Sequence, residues 1–242
     1  MRRCAWMLAG LAILAPRTWG ADYDHTEKSP LYEMRLRVPA AAIAIPALRD
    51  RILALNKADA RELKSDAQDG KDSDPGFHPY DMETVWRVSF ESSAVISLSA
   101  DTNADTGGAH PNEGFQTLTW DKAANRAVAL ADLFPANDAK PALAAIAAAA
   151  AKNWSATYAK RTGQESGPDA DEANQGIGPE PEKLKTWALI HEKGQAQANG
   201  IVLLYGAGQV WPHVLGDFRV PVSARVFSRY LSAKWKPVFT SP

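Results

Sequence analysis

The sequence predicts an α+β fold: a single compact domain in which helices pack against a mainly antiparallel sheet. Segments of alternating apolar and polar residues follow one another with only turns between them, as expected for antiparallel hairpins. Two longer segments carry apolar residues at helical spacing, which predicts helices that cover the sheet. The chain has 242 residues, of which 45% are hydrophobic, so a large core can form without disulfide bonds.

The first part of the chain predicts a strand, a helix and a loop. A strand is expected at 31–38, because apolar and polar residues alternate there. A helix is expected from about Pro46 to Gln68, with one apolar stripe. The stripe consists of Leu48, Ile52, Leu55 and Leu63. The other side is interpreted as a solvated face without function. It comprises Arg51, Lys57, Arg61, Glu62 and Lys64. Residues 69–81 are dense in Gly, Pro and Asp and predict a loop.

The next segments predict strands around a long polar loop. Residues 84–101 alternate in two runs, which predicts two strands or one strand with a bulge around Ser92–Ser93. Ser97 is interpreted as part of the polar face of this strand. The segment DTNADTGGAHPN, residues 101–112, reads as a loop, and another strand is expected at 114–121.

The C-terminal half predicts a helix, a loop and a hairpin. An Ala-rich helix is expected at about 139–160, followed by an exposed acidic loop at 162–182. Residues 186–194 and 200–208 predict two strands of a hairpin. A short strand up to Pro221 and a helix after it complete the expected fold.

The first twenty residues, MRRCAWMLAGLAILAPRTWG, have the layout of a secretory signal peptide. A basic start precedes an apolar run from Ala5 to Ala15, which is shorter than the roughly 20 residues of a membrane anchor. We therefore expect cleavage near Gly20–Ala21, a periplasmic or secreted location, and no stable transmembrane anchor. An uncleaved interfacial anchor is the alternative.

Cleavage would also change the composition of the chain. Cys4 is the only cysteine, so the mature chain would contain neither a disulfide nor a thiol nucleophile. Loss of Arg2, Arg3 and Arg17 would move the formal net charge from −1 to −4. A mildly acidic protein is not expected to bind nucleic acid, whereas a cationic partner is compatible with this charge.

The loop at 101–112 is the main candidate site. Gly107–Gly108 allows positive φ at successive positions, and Pro111 holds His110 in an extended conformation. This loop is longer than the roughly two to five residues that usually connect the strands of a hairpin, and long ordered loops are often functional. A glycine turn whose histidine bonds a backbone carbonyl is the structural alternative. The candidate binding residues are Asp101, Asp105, Gly107, Gly108, His110, Glu113 and Trp211.

Trp211 belongs to a second glycine-rich segment, where it reads either as a surface anchor or as a core residue. No metal site or cofactor is predicted. Asp101, Asn103 and Asp105 fit the first, third and fifth positions of a calcium loop, but its glycine and final glutamate are missing. His110 has no second histidine at helical spacing, and no nucleophile or phosphate-binding motif occurs. We therefore predict no catalytic residue, with a metal-assisted envelope hydrolase using His110 and neighbouring carboxylates as the alternative.

Two sequence blocks together resemble the RsiV-type DUF3298 family. They are TGGAHPN followed by FQTLTWDKAANRAVALADLF, and IVLLYGAGQVWPHVLGDFRVP. The strand and helix at 31–68 are similar to the PdaC-type DUF4163 segment that often precedes this domain. The predicted organisation is a signal peptide at 1–20, a DUF4163-like segment at 21–82 and a DUF3298-like domain at 83–242, the last two forming one structural unit.

The resemblance implies an exported cell-envelope domain. Some members are outer parts of membrane-bound anti-sigma factors that recognise lysozyme, and others are fused to polysaccharide deacetylase domains. For this chain we expect an exported binding protein without catalytic activity, and a lysozyme-like muramidase or a peptidoglycan-related ligand as its partner.

Overall fold

A computed structural model describes residues 22–108, 110–165, 167, 176–210 and 213–240. The predicted signal peptide, its cleavage site, Trp211 and part of the predicted acidic loop at 162–182 lie outside the described residues. Within these ranges the α+β class is confirmed, because two β-sheets and two long helices form a single domain.

The larger sheet has six strands in the order β1-β2-β3-β4-β5-β6. They are β1 (Tyr23–Lys28), β2 (Tyr32–Val38), β3 (Tyr80–Glu91), β4 (Val95–Asp105), β5 (Asn112–Asp121) and β6 (Arg126–Ala127). Neighbouring strands are antiparallel except β2 and β3, which are parallel. The sequence pattern did not indicate this parallel pair. It also did not indicate β1, whose residues are mostly polar and exposed.

A helical crossover connects the parallel strands, as their geometry requires. It consists of the short helix α1 (Ala40–Ile43) and the long helix α2 (Pro46–Ser73). The buried side of α2 packs on the sheet through Leu48, Ile52, Ala60, Leu63 and Ala67. The loop predicted at 69–81 is wrong at both ends, because 69–73 extend α2 and Tyr80 and Asp81 begin β3. Only 74–79 connect the two elements.

A smaller sheet packs against one face of the larger sheet through one of its edge strands. Its strands are β7 (Trp187–Ile190), β8 (Gly200–Tyr205) and β9 (Phe218–Ser223), in that order. The backbone N–H of Leu189 in β7 donates to Ser97 Oγ over 2.9 Å, and Ser97 Oγ lies 2.8 Å from Thr119 Oγ1. Ser97 is fully buried at this junction, so its interpretation as part of a polar face was wrong.

The helix α3 (Ala136–Thr162) packs with the smaller sheet and the C-terminal segment in a second core. The helix predicted after Pro221 is absent from the described residues, which form short 3-10 turns there. Apolar residues four positions apart imitate a helical stripe: Phe227, Leu231, Trp235 and Phe239. The backbone instead makes tertiary hydrogen bonds, since Ser232 N–H donates to the Leu133 carbonyl (3.0 Å) and Thr240 N–H to the Ala198 carbonyl (2.8 Å).

Candidate functional site

The predicted loop at 101–112 is shorter in the structure. Strand β4 continues to Asp105 and β5 begins at Asn112, so only 106–111, here called the opening loop, connect them. The loop prediction was therefore wrong for 101–105 and for Asn112, and the calcium-like spacing falls on a strand. Gly107 has a φ of 80°, as its turn requires, whereas Gly108 is not at positive φ.

Side-chain hydrogen bonds close the opening loop. Asp105 Oδ1 accepts from the backbone N–H of Gly107 over 3.0 Å. Asn112 Nδ2 donates to Thr106 Oγ1 over 3.2 Å, joining the two ends of the loop. These bonds restrain the loop, so its exposed residues are held at a defined place beside the sheet.

The opening loop meets a second loop that is distant in sequence. This second loop, 206–217, connects β8 to β9 and contains the segment around Trp211. The imidazole rings of His110 and His213 stack with centroids 6.3 Å apart and planes inclined by 20°. A Cβ at Gly206 would lie 3.3 Å from the Glu113 carbonyl oxygen, so the two segments also approach each other through their backbones. The structure thus brings together the two sequence blocks that resemble one family.

The described residues where the two loops meet are mostly exposed. His110, His213, Gly107, Gly108 and Glu113 are all exposed. Val214 is 87% exposed, the largest value among the exposed large hydrophobic side chains of the described residues. Val214 therefore presents an exposed apolar side chain directly after His213.

Negative charge accumulates beside the opening loop. Asp105 lies opposite Asp81 in the pairing of β3 with β4. Partial desolvation, followed by repulsion from Asp105, raises the pKa of the Asp81 carboxyl above its usual range. The two carboxylates therefore favour a positive charge near this end of the sheet.

Asp101 lies away from the opening loop and is already bound within the protein. Its carboxylate forms ion pairs with Arg87 of β3 and Arg219 of β9. The Arg219 guanidinium also lies over the Phe115 ring, 4.7 Å from its centroid. This network links the two sheets across the surface, whereas the predicted contact with a partner remains a prediction.

Replacing Asp101 with asparagine is expected to lower the free energy of unfolding by about 1 kcal/mol, because two partly exposed ion pairs are lost. Urea denaturation of the single variants Asp101→Asn and Arg219→Met and of the double variant tests the coupling. If the double variant loses less free energy of unfolding than the two single variants lose together, the residues belong to a shared network. Fully additive costs would contradict it.

Sequence reasoning missed one set of residues near the site. A groove of about 390 Å³ lies between α2 and the hairpin β4–β5, and three acids of α2 line it. They are Asp59, Glu62 and Asp66. Their spacing of three and four residues places them on one side of the helix, which was a detectable signal. The prediction merged Glu62 with basic residues into a single solvated face.

Over the described ranges, no group of three or more His, Cys, Asp and Glu side chains is arranged to hold a metal ion. No helix in the described part of the chain is long and apolar enough to cross a membrane.

Part of the chain matches a known protein family. Residues 25–113 match the Deacetylase PdaC family model. The matched region runs from β1 through the opening loop to the start of β5, whereas the predicted division into 21–82 and 83–242 stays a prediction. No curated protein matches the sequence at a significant level.

One solved structure establishes the fold over most of the chain. A DUF3298 family member from Bacteroides fragilis is 16% identical, with a TM-score of 0.55, and the alignment covers 89% of this chain and 94% of that one. A DUF3298 family protein from Pseudomonas aeruginosa is 13% identical, with a TM-score of 0.49 and coverage of 92% and 95%. The predicted resemblance is thus confirmed: the PdaC-type segment lies within a chain that has the fold of the Bacteroides DUF3298 protein.

Proposed function

We infer that this protein is an exported binding protein of the cell envelope, without catalytic activity, whose partner is a cationic lysozyme-like muramidase. Its recognition surface consists of the opening loop (106–111) and the β8–β9 loop (206–217). The observation that carries this proposal is the contact between the two loops, in which His110 stacks on His213. Two loops that converge on one side form a larger contact surface than either loop alone.

The composition of this surface supports a protein partner. Val214 offers an exposed apolar side chain, and the two exposed imidazoles add flat, amphipathic area beside it. Asp105, which bonds Gly107, and Glu113, whose backbone approaches Gly206, contribute carboxylates next to the two loops. An apolar centre with polar surroundings is the usual arrangement of a protein interface.

The charge of the chain supports a cationic partner. Removal of the predicted signal peptide would leave a net charge of −4, and opposite net charge accelerates association. The expected export and the PdaC-type segment are consistent with action in the envelope. A peptidoglycan-related ligand is the other partner class that the family resemblance implies.

Binding of a c-type lysozyme to the chain without residues 1–20 tests this proposal. We expect a complex with a Kd of micromolar order or tighter, measured by calorimetry, and reduced lysozyme activity in the complex. Val214→Arg is expected to weaken binding at least tenfold, because it places a positive charge at the centre of the surface.

Val88→Arg is the matched control, since Val88 is also an exposed valine but lies on β3 near the opposite end of the strand from the opening loop. It is expected to leave the Kd unchanged. Absence of any complex at micromolar concentration, or equal losses for both variants, would contradict the proposal. Binding of purified peptidoglycan fragments without lysozyme binding would replace the partner class.

A further inference from the structure

The groove between α2 and the hairpin β4–β5 has an unusual lining. One wall is acidic and consists of Asp59, Glu62 and Asp66 of α2. The floor contains Leu63 and Met82, which are 4% and 7% exposed, and the half-buried ring of Phe115. An acidic wall above an apolar floor matches a side chain that has a long aliphatic stem and a cationic head.

The carboxylates of this wall are available to a ligand. Among the described residues, no Lys or Arg forms an ion pair with Asp59, Glu62 or Asp66. Asp59 is half-buried and accepts a hydrogen bond of 2.6 Å from Gln116 Nε2, whereas Glu62 and Asp66 are exposed. Three carboxylates at this spacing repel one another, and a bound cation would relieve that repulsion.

Between residues 57 and 66, the acidic and basic side chains of α2 line two different depressions. On the side away from the groove, Lys57, Arg61 and Lys64 line a different depression next to β1 and β2. Lys64 is paired there with Glu27 over 2.8 Å. These three positive charges therefore lie towards β1 and β2, and the groove keeps a negative wall.

The groove is continuous with the recognition surface. Thr106 and Asn112, which close the opening loop, also line the groove, together with Gly114 of β5. A protein bound at the two loops therefore has the groove within reach of its adjacent surface. Because the partner is proposed to be cationic, charge complementarity identifies which of its side chains fit.

We propose that the groove binds a lysine or arginine side chain of the cationic protein partner. The aliphatic stem packs on Leu63, Met82 and Phe115, and the cationic head lies between the carboxylates of Glu62 and Asp66. This inference rests on the proposed function for the identity of the partner, but the chemistry of the groove is testable without that partner.

The test compares two charge-matched double variants of the chain without residues 1–20. Glu62→Gln with Asp66→Asn removes two exposed carboxylates of the groove. Asp69→Asn with Asp72→Asn removes two exposed carboxylates of the same helix that do not line it. Thermal unfolding of both variants serves to verify that they are folded. The probes are a c-type lysozyme and a fluorescently labelled octalysine peptide, titrated at low ionic strength.

For the groove variant we expect about five- to tenfold weaker binding of both probes, and for the control variant less than about twofold. The difference should shrink as salt is added, because exposed charges are screened. Equal behaviour of the two variants with both probes overturns the groove proposal, even where lysozyme binding itself persists.

The two proposals fail in distinguishable ways. Groove-dependent octalysine binding without any lysozyme binding supports the groove and overturns lysozyme as partner. Lysozyme binding that is insensitive to the groove variant supports the recognition surface and overturns the groove. Absence of binding by either probe to the unmodified chain overturns both.

Discussion

Replacing Asp121 with alanine is expected to lower the free energy of unfolding by about 3 kcal/mol at neutral pH. Asp121 is 1% exposed at the end of β5. Its Oδ1 accepts hydrogen bonds from the backbone N–H groups of Ala123 (3.1 Å) and Ala124 (2.9 Å), and Lys234 binds its Oδ2. One side chain thus connects the β5–β6 turn to the C-terminal segment, and alanine leaves these donors without their acceptor.

The effect of this substitution depends on pH with a definite sign. Burial alone would raise the pKa of the Asp121 carboxyl, but the bonds from Ala124, Lys234 and Ala123 outweigh it and lower the pKa below its usual value. A lowered carboxyl pKa contributes stability that is present above the pKa of the unfolded state and is lost as pH falls through the folded pKa. The difference between wild type and Asp121→Ala should therefore be largest at neutral pH and shrink below about pH 4.

Urea denaturation at pH 7 and at pH 3 measures this difference. Asp50→Ala is the control, because the Asp50 carboxylate is exposed and pairs only with its neighbour Arg49 among the described residues. Its expected cost is at most about 0.5 kcal/mol at either pH. The stabilising role of the Asp121 carboxylate would be contradicted if Asp121→Ala lowered the free energy of unfolding as little as Asp50→Ala does. It would also be contradicted if the loss grew at acid pH.

Replacing Ser97 with alanine is expected to cost about 2 kcal/mol, since a buried hydroxyl at the junction of the sheets is lost. The Leu189 N–H at the open edge of β7 would lose its acceptor, and Thr119 would lose a hydroxyl partner. Unpaired buried donors carry the full cost of removal from water, so the effect exceeds that of a surface serine.

Ser99→Ala provides the matched comparison for this junction. Ser99 lies two residues further along β4, on the same face, but is only partly buried and has no side-chain hydrogen bond among the described contacts. Urea denaturation should show a cost near zero for Ser99→Ala. Equal costs for the two serines would mean that the hydroxyl does not anchor the second sheet.

Local patterns in the sequence predicted the elements with strong periodicity. The strand β2, the helices α2 and α3 and the hairpin β7–β8 were all found, because burial of one face imposes a regular spacing on each of them. Strand β1 was missed because it lies at a polar edge and buries little. The C-terminal helix was predicted wrongly because spacing alone does not reveal bonds to distant carbonyls.

The candidate site was predictable in part. Gly107 and His110 lie in a real turn between two strands, since glycine and proline constrain the backbone locally. The ion pairs of Asp101 with Arg87 and Arg219 were not predictable, because Arg219 is 118 residues away. The acidic groove was missed for the same reason: its opposite wall belongs to β4 and β5 rather than to α2.

By itself, the sequence determined the α+β class, the positions of the main strands and helices, and a rigid turn that carries His110. Only the tertiary structure decided that this turn meets the β8–β9 loop, that a serine anchors a second sheet, and that one side of α2 becomes the wall of a groove. The physical reason is that periodicity and turn chemistry act over a few residues, whereas these contacts join segments that approach each other only when the core packs.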